Sequence, residues 1–478
     1  MARGLVDVVG EYAESVARGG LSADRRSRAV RAVSDTVSVM VLAADQPVAD
    51  LVTEVVGKWG SADVATVIGR SQRFPPGSAA FVNGTLAHCM DFDDTHLPSV
   101  LHPSASVVPA ALAVAEETGA SGPALLDAVA VGVEVCVRLG MAGYDEEFGN
   151  SIFFERGQHA TAICGAIGSA VAAAMLSGGD AVTLAHAAAI AASMGSGVLE
   201  ANRTGGSVKR IHTGWAAHCG VSAAQLATTG LTGPPTVLEG RFGFFQAFCG
   251  DHAVPETVTR GLGAHWYSES MHIKPYPCNH FTHTGIDAAL ELRARGVTPA
   301  DIVAIEVGVP QPVLRTIAEP AAVKAAPDSG YAAAFSGPYT IAAALVGGGG
   351  LGLHLEDFTD EAARRPEVLA LAAKVSCHAD AACTADFPHQ FPTILTARLR
   401  DGRTERVAVM TNRGGPLRPL SQADLDLKFD LNTRTRCDEA TSRALREEIR
   451  NLTGPATART VLRLLTSTTT RTESLDGR

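Results

Sequence analysis

The densest polar stretch of the chain runs from Ala87 to Ser104 and holds His88, Asp91, Asp93, Asp94, Thr95, His96 and His102 between apolar flanks. Carboxylates and imidazoles at this density suit proton transfer, because they titrate on either side of mildly acidic pH. The same residue types suit a divalent cation. No HExxH or comparable ligand frame occurs, and Asp93 and Asp94 would also serve as helix caps in a surface loop. A second group is Gly157-Gln-His159-Ala-Thr161, at the head of a very apolar run. A histidine there meets the positive end of a helix dipole, which favours a neutral imidazole able to act as a base. A capping or core histidine is the plain alternative. In the third group, Lys209, Arg210 and His212 precede an Ala-rich helix. Cations oppose the dipole at that end, so binding a carboxylate gives them a reason to be there. A solvated turn is the alternative.

The fourth group is His272-Ile-Lys274-Pro-Tyr276-Pro-Cys278-Asn279-His280-Phe-Thr-His283. Its two prolines fix an extended path that would aim Lys274, or simply make a rigid linker. The fifth is Phe335-Ser336-Gly-Pro-Tyr339, ahead of an apolar helix that ends in the Gly347–Gly350 run. No GKS or GKT follows those glycines, so they read as a mobile turn and not as a phosphate loop.

These groups need elements to hold them. Residues 1 to about 262 read almost wholly as helices, with no period-2 pattern competing. Ser121-Gly-Pro123 opens one helix, with Leu126, Val129, Val133 and Cys136 at helical spacing and Gly140 as its stop. Another spans His159 to about Ser177, and Asp180 caps the next. After about 264 the character changes. Asp301–Val309 alternates like a strand, and Thr393–Leu399 and Thr404–Met410 flank an Asp401-Gly402 turn as a hairpin. A helix is predicted over 284–295. Helical patterning returns after about 419, with a capping box at Ser421–Asp424, a helix over 438–452 and a polar tail from about 466. The predicted fold is mainly α: a large all-helical domain formed from both chain ends (1–263 and 419–478) with a smaller α+β domain (264–418) inserted.

Composition narrows the function classes. Of 478 residues, 46% are hydrophobic and only 19% charged, which suits a buried core and excludes a disordered chain. The high glycine count of 48 suits close helix packing. A net charge of −10 argues against a nucleic-acid partner. The nine cysteines are scattered without a CxxC, so reduced thiols in a cytoplasmic protein are expected, with no iron–sulfur cluster. The opening residues lack the apolar core of a signal peptide. The run His159–Leu176 reaches only the lower edge of a membrane span and is mostly Ala and Gly, so a buried helix is expected and no membrane role.

Six segments, in order, resemble the MmgE/PrpD family: FVNGTLAHCMDFDDT, HPS at 102–104, GQHAT, VKRIHTG, KPYPC and FSGPYTIAAAL. The resemblance covers nearly the whole chain. The family includes 2-methylcitrate dehydratase, cis-aconitate decarboxylase and iminodisuccinate epimerase. It implies a helical domain from both chain ends, an α+β lid, a homodimer, a small anionic carboxylate substrate bound between the domains, and no metal or organic cofactor. It also implies site roles for Asp91, Thr95, His102, His159, Lys209, His212, Lys274 and Tyr339. Asn279 stands where the decarboxylase has a histidine, with His280 adjacent, and the Thr95–His102 spacing is one residue longer than in that enzyme. Both departures weaken a decarboxylase assignment, and a hydro-lyase is the first reading, with an epimerase or decarboxylase as the alternative. In the first reading, His159 is the base with Asp91 as competitor, and Tyr339 or His102 is the acid. Lys209 and Lys274, supported by His212 and His102, hold negative charge, and Thr95, Asn279, His280 and Ser336 complete substrate binding. Outside the family, a metal-dependent hydrolase built on the His/Asp cluster and a non-catalytic helical assembly protein are the competing readings.

Overall fold

The computed structural model of the protein describes residues 3–466. The polar tail lies outside the described residues, apart from its first position. The chain is mainly helical, and its described residues form two compact units. One runs up to Met271 and resumes at Phe429; the other is His272–Lys428.

In the first unit, helices Pro76–His88 and Ala160–Leu176 are buried along their whole length. Helices that are apolar on every side belong inside a protein or a membrane. Here they pack in the protein, together with helices Ser104–Thr118, Gly122–Ala142 and His212–Thr228. Among the described residues, no helix is long and apolar enough to cross a membrane. Small residues set the spacing. A Cβ added at Gly84 would lie 2.7 Å from the Gly214 Cα, and one added at Gly168 would lie 2.4 Å from the Gly132 carbonyl oxygen.

Local signals place the helix starts. Ser121 accepts from the Ala124 N–H, and the helix it caps is Gly122–Ala142. Asp180 accepts from the Thr183 N–H and starts Ala181–Met194. Gly140 does not stop its helix, which runs on to Ala142. It is small because Leu101 and Ser99 press on it: a Cβ there would meet the Leu101 Cδ2 at 2.4 Å. The expectation of near-continuous helix fails between 230 and 271. That segment holds one short helix, Phe244–Phe248, and several 3-10 turns. Pro234 and Pro235 lack N–H donors, and left-handed glycines such as Gly250 and Gly261 break the helical path. Two-residue strand pairs, Ala65–Thr66 with Arg73–Phe74 and Tyr144–Asp145 with Asn150–Ser151, are also additions to the helical reading.

The second unit is α+β. Its sheet runs Thr404–Val409, Thr393–Leu399, Ile302–Val309, Val375–Ala379. The first two strands form the hairpin expected at Asp401-Gly402, with Val407 opposite Leu395. Ile302–Val309 pairs antiparallel with the hairpin and parallel with Val375–Ala379. Helices His283–Ala294 and Gly337–Val346 pack on each other and on the sheet. The unit limits differ from the expected 264–418. Trp266 joins the helical core, and the Tyr267 and Ser268 N–H groups donate to Glu134 at 3.1 and 2.9 Å. At the other end, Asp424 pairs with Arg413 at 3.1 Å.

Candidate active site

The polar loop after helix Pro76–His88 folds back on the helix end. Asp91 takes φ 51°, a left-handed conformation that costs a non-glycine residue energy, and its N–H donates to the His88 carbonyl at 2.9 Å. The reversal buries the loop: Asp91, Asp93, Asp94 and Thr95 are each 5% exposed or less. His88 Nδ1 lies 2.8 Å from Asp93 Oδ2. His102 Nδ1 lies 2.7 Å from the Asp94 carbonyl oxygen and 3.2 Å from Thr95 Oγ1. A carbonyl only accepts, so His102 carries its proton on Nδ1, and Nε2 is the basic nitrogen of the neutral ring.

His159 stands at the head of helix Ala160–Leu176, and His212 opens His212–Thr228. Their Nδ1 atoms are 2.9 Å apart. One must donate and the other accept, so the neutral pair always presents one basic Nε2 and one Nε2–H. The His88 ring sits 5.3 Å from His102 and 5.4 Å from His159, centre to centre. Lys209, on the 3-10 turn Val208–Ile211, is buried beside them. Asp91, Thr95, His102, His159, Lys209 and His212 therefore all belong to one buried region of the helical unit. Sequence reasoning named His88 and Asp93 in the cluster but did not select them, although they are both buried and paired side chain to side chain. The signal was present as a histidine at the helix end, five residues before a carboxylate.

Burial, reinforced by His88, Lys209, His212 and His102, holds His159 well below the ordinary imidazole range. These causes act in the same direction as the helix dipole of the sequence argument. Burial, with His88 and Lys209 nearby, lowers His212 to about 4. Burial also pushes Asp94 up to about 7, partly offset by its hydrogen bond from Ser104. The signs follow by linkage. The two imidazoles contribute stability in full above their unfolded value of about 6.5, and it is lost as pH falls below that, for His212 down to about 4. Asp94 contributes in full below about 4, and its contribution is lost as pH rises towards 7. Two groups against one leave net acid destabilisation. His212→Asn is expected to flatten the fall in Tm between pH 6.5 and 4; an unchanged slope would remove His212 from this account.

The remaining selected residues lie in the α+β unit. Lys274 is fully buried, with the Ile273 N–H donating to the Gly414 carbonyl at 3.0 Å. Two residues on, the Tyr276 hydroxyl donates to Asp287 at 2.6 Å, and Arg418 grips the other oxygen of that carboxylate at 2.6 Å. The KPYPC path is anchored, as its prolines suggest. Asn279 Oδ1 accepts from the Phe281 N–H and caps its own turn. His280 packs 4.5 Å from His283 and 5.6 Å from Phe391 between ring centres. Ser336 caps helix Gly337–Val346 by accepting from the Tyr339 N–H. Tyr339 is wholly buried, and its hydroxyl donates to the Asp357 carbonyl at 2.8 Å; burial pushes its pKa up to about 12. Ser336 and Tyr339 thus have structural employment in this conformation. An acid role for Tyr339 would first need that bond to open.

A cation is the alternative use of the loop. His88, Asp91 and Asp93 bring ligand atoms within 4.8 Å of one another. A cation would have to bind at His88 Nε2, because Nδ1 carries the proton that it donates to Asp93.

A largely helical chain with a buried imidazole–carboxylate centre has the residue types that general acid–base chemistry uses. This chain belongs to the MmgE/PrpD family: residues 8–257 match the MmgE/PrpD N-terminal domain and residues 276–453 the C-terminal domain. It is similar to cis-aconitate decarboxylase of Mus musculus, 31% identical over 85% of this chain and 82% of that one. The same enzyme of Homo sapiens is 30% identical over 89% of this chain and 87% of its own length. That of Aspergillus terreus is 29% identical over 61% of each. These relatives carry the name of the decarboxylase, not of the dehydratase that the sequence reading put first.

Proposed function

We propose that this protein is a lyase that moves a proton at carbon next to a carboxylate in a small polycarboxylate, without a cofactor. The reaction favoured is decarboxylation of an unsaturated tricarboxylate of the cis-aconitate kind. The His159–His212 pair carries this reading: it supplies one base and one N–H donor in a dry site, both neutral near pH 7. Loss of CO₂ leaves an electron pair on carbon, which spreads through the adjacent double bond into a carboxylate. An acid then returns a proton to carbon. His159 is assigned as the group that handles that proton, with Asp91 as competitor and His102 as the second acid. Lys209 and Lys274 are assigned to the substrate carboxylates, whose charge grows as the bond breaks. Thr95, His212, Asn279 and His280 are assigned to binding. The decarboxylase relatives support this choice.

Dehydration of a 2-methylcitrate-like hydroxy acid is the second reading. Asn279 favours it, because its side chain is spent on capping its own turn where the decarboxylase pattern has a histidine. Incubation with cis-aconitate, 2-methylcitrate, citrate and iminodisuccinate separates the readings. CO₂ release supports the first, formation of an unsaturated acid with water loss the second. Deuterium uptake from solvent without either product would replace both by epimerisation. On the true substrate, Lys274→Ala is expected to lower turnover about 10²- to 10³-fold with an unchanged far-UV spectrum. Near-normal turnover would take Lys274 out of the site.

A further inference from the structure

His88 has no role in the scheme above, yet it sits at the middle of the imidazole cluster. It is 3% exposed. Its Nδ1 is tied to Asp93, and its Nε2 is buried without a hydrogen-bond partner among the described residues. A buried imidazole nitrogen left unsatisfied is costly, so its retention asks for a reason. The ring contacts supply one. His88 lies against His102 on one side and His159 on the other, but no such ring contact joins it to His212 among the described residues. The His159–His212 pair, two chemically identical rings sharing one proton, therefore has a neighbour that bears on both rings but makes ring contact with His159 alone.

We propose that the Asp93–His88 pair is a positioning device: seated beside His159, it selects which ring of the His159–His212 pair keeps the shared proton, and so which one serves as base. This rests on reading that pair as the acid–base centre. A base oriented by a third group is a recurring arrangement in catalysis. The other titratable groups bearing on the pair are His102 and Lys209, and Asp91 stands beside His88. Helices Pro76–His88, Ala160–Leu176 and His212–Thr228 add the imidazole of His218, which stacks on Trp215 at 5.3 Å, and the thiols of Cys164 and Cys219, which burial pushes up.

The test is ¹⁵N NMR of histidine-labelled full-length protein, comparing wild type with His88→Gln and Asp93→Asn. The expected result is one tautomer arrangement for His159 and His212 in wild type, and a mixed or reversed one in both variants. In both variants kcat should fall ~10- to 100-fold with KM little changed. Unaltered tautomers in the variants, or an effect on KM alone, would overturn the proposal. If His88→Gln does not fold, Asp93→Asn, which keeps the side-chain shape, decides by the same spectra. The NMR readout needs no substrate. A wild-type protein inert towards every polycarboxylate would sink the functional reading and leave this inference to be judged on the tautomers.

Discussion

His159→Gln is expected to lower kcat about 10²- to 10⁴-fold, the range for loss of one acid–base group. Glutamine is close in reach and can still hydrogen-bond to His212 Nδ1, now 2.9 Å from the native ring nitrogen. It cannot take or return a proton. The helix behind it should survive, because Ala160–Leu176 is held by burial along its whole length and its start has no side-chain cap to lose. The expected pattern is a fall in kcat with kcat/KM falling in parallel, and a Tm within a few degrees of wild type. A loss below 10-fold, or one expressed only in KM, would shift the proton chemistry to Asp91 or His102.

The second large effect is on stability. Glu134→Ala is expected to cost about 3–5 kcal/mol, read from the urea midpoint. Glu134 and Arg138 are both 0% exposed and pair at 2.7 Å, one helical turn apart. Arg138 also donates to the carbonyls of Thr257, Val258, Arg260, Gly261 and His265. Removing the carboxylate leaves a buried guanidinium without its counter-charge, and strips the Tyr267 and Ser268 N–H groups of their acceptor. Replacing both partners by apolar residues is often harmless for a buried ion pair, but here it would orphan that row of carbonyls. A loss under 1 kcal/mol would mean that solvent reaches Arg138.

The same pair explains where sequence reading succeeds and fails. Ser121, Asp180 and the Ser421–Asp424 box are legible because a cap is decided within four residues. The Asp401-Gly402 hairpin is legible for the same reason. The irregular stretch 255–268 is not, because the arginine that satisfies its carbonyls lies more than a hundred residues away. In the site, density of titratable residues was enough to find His102, His159, Lys209 and His212. It did not reveal how far burial lowers His159, since burial belongs to the whole fold. Tyr339 and Ser336 stood out by motif, yet both spend their polar atoms on local structure. The reaction itself was read least well. Asn279 and the longer Thr95–His102 spacing turned the choice away from a decarboxylase, while the curated relatives are named for decarboxylation.

The glycine contact between Gly84 and Gly214 has a consequence for how this enzyme can change. These residues sit one turn before His88 and two residues after His212, and the Thr213 hydroxyl pins the crossing to the Gly84 carbonyl at 2.7 Å. The gauge between the two imidazole-bearing helices is therefore cut into backbone, with no side chain to trim. A methyl group at either glycine would act as a wedge and prise the imidazoles apart. Directed evolution towards a new substrate would gain nothing from these helices and should draw its variation from the loops.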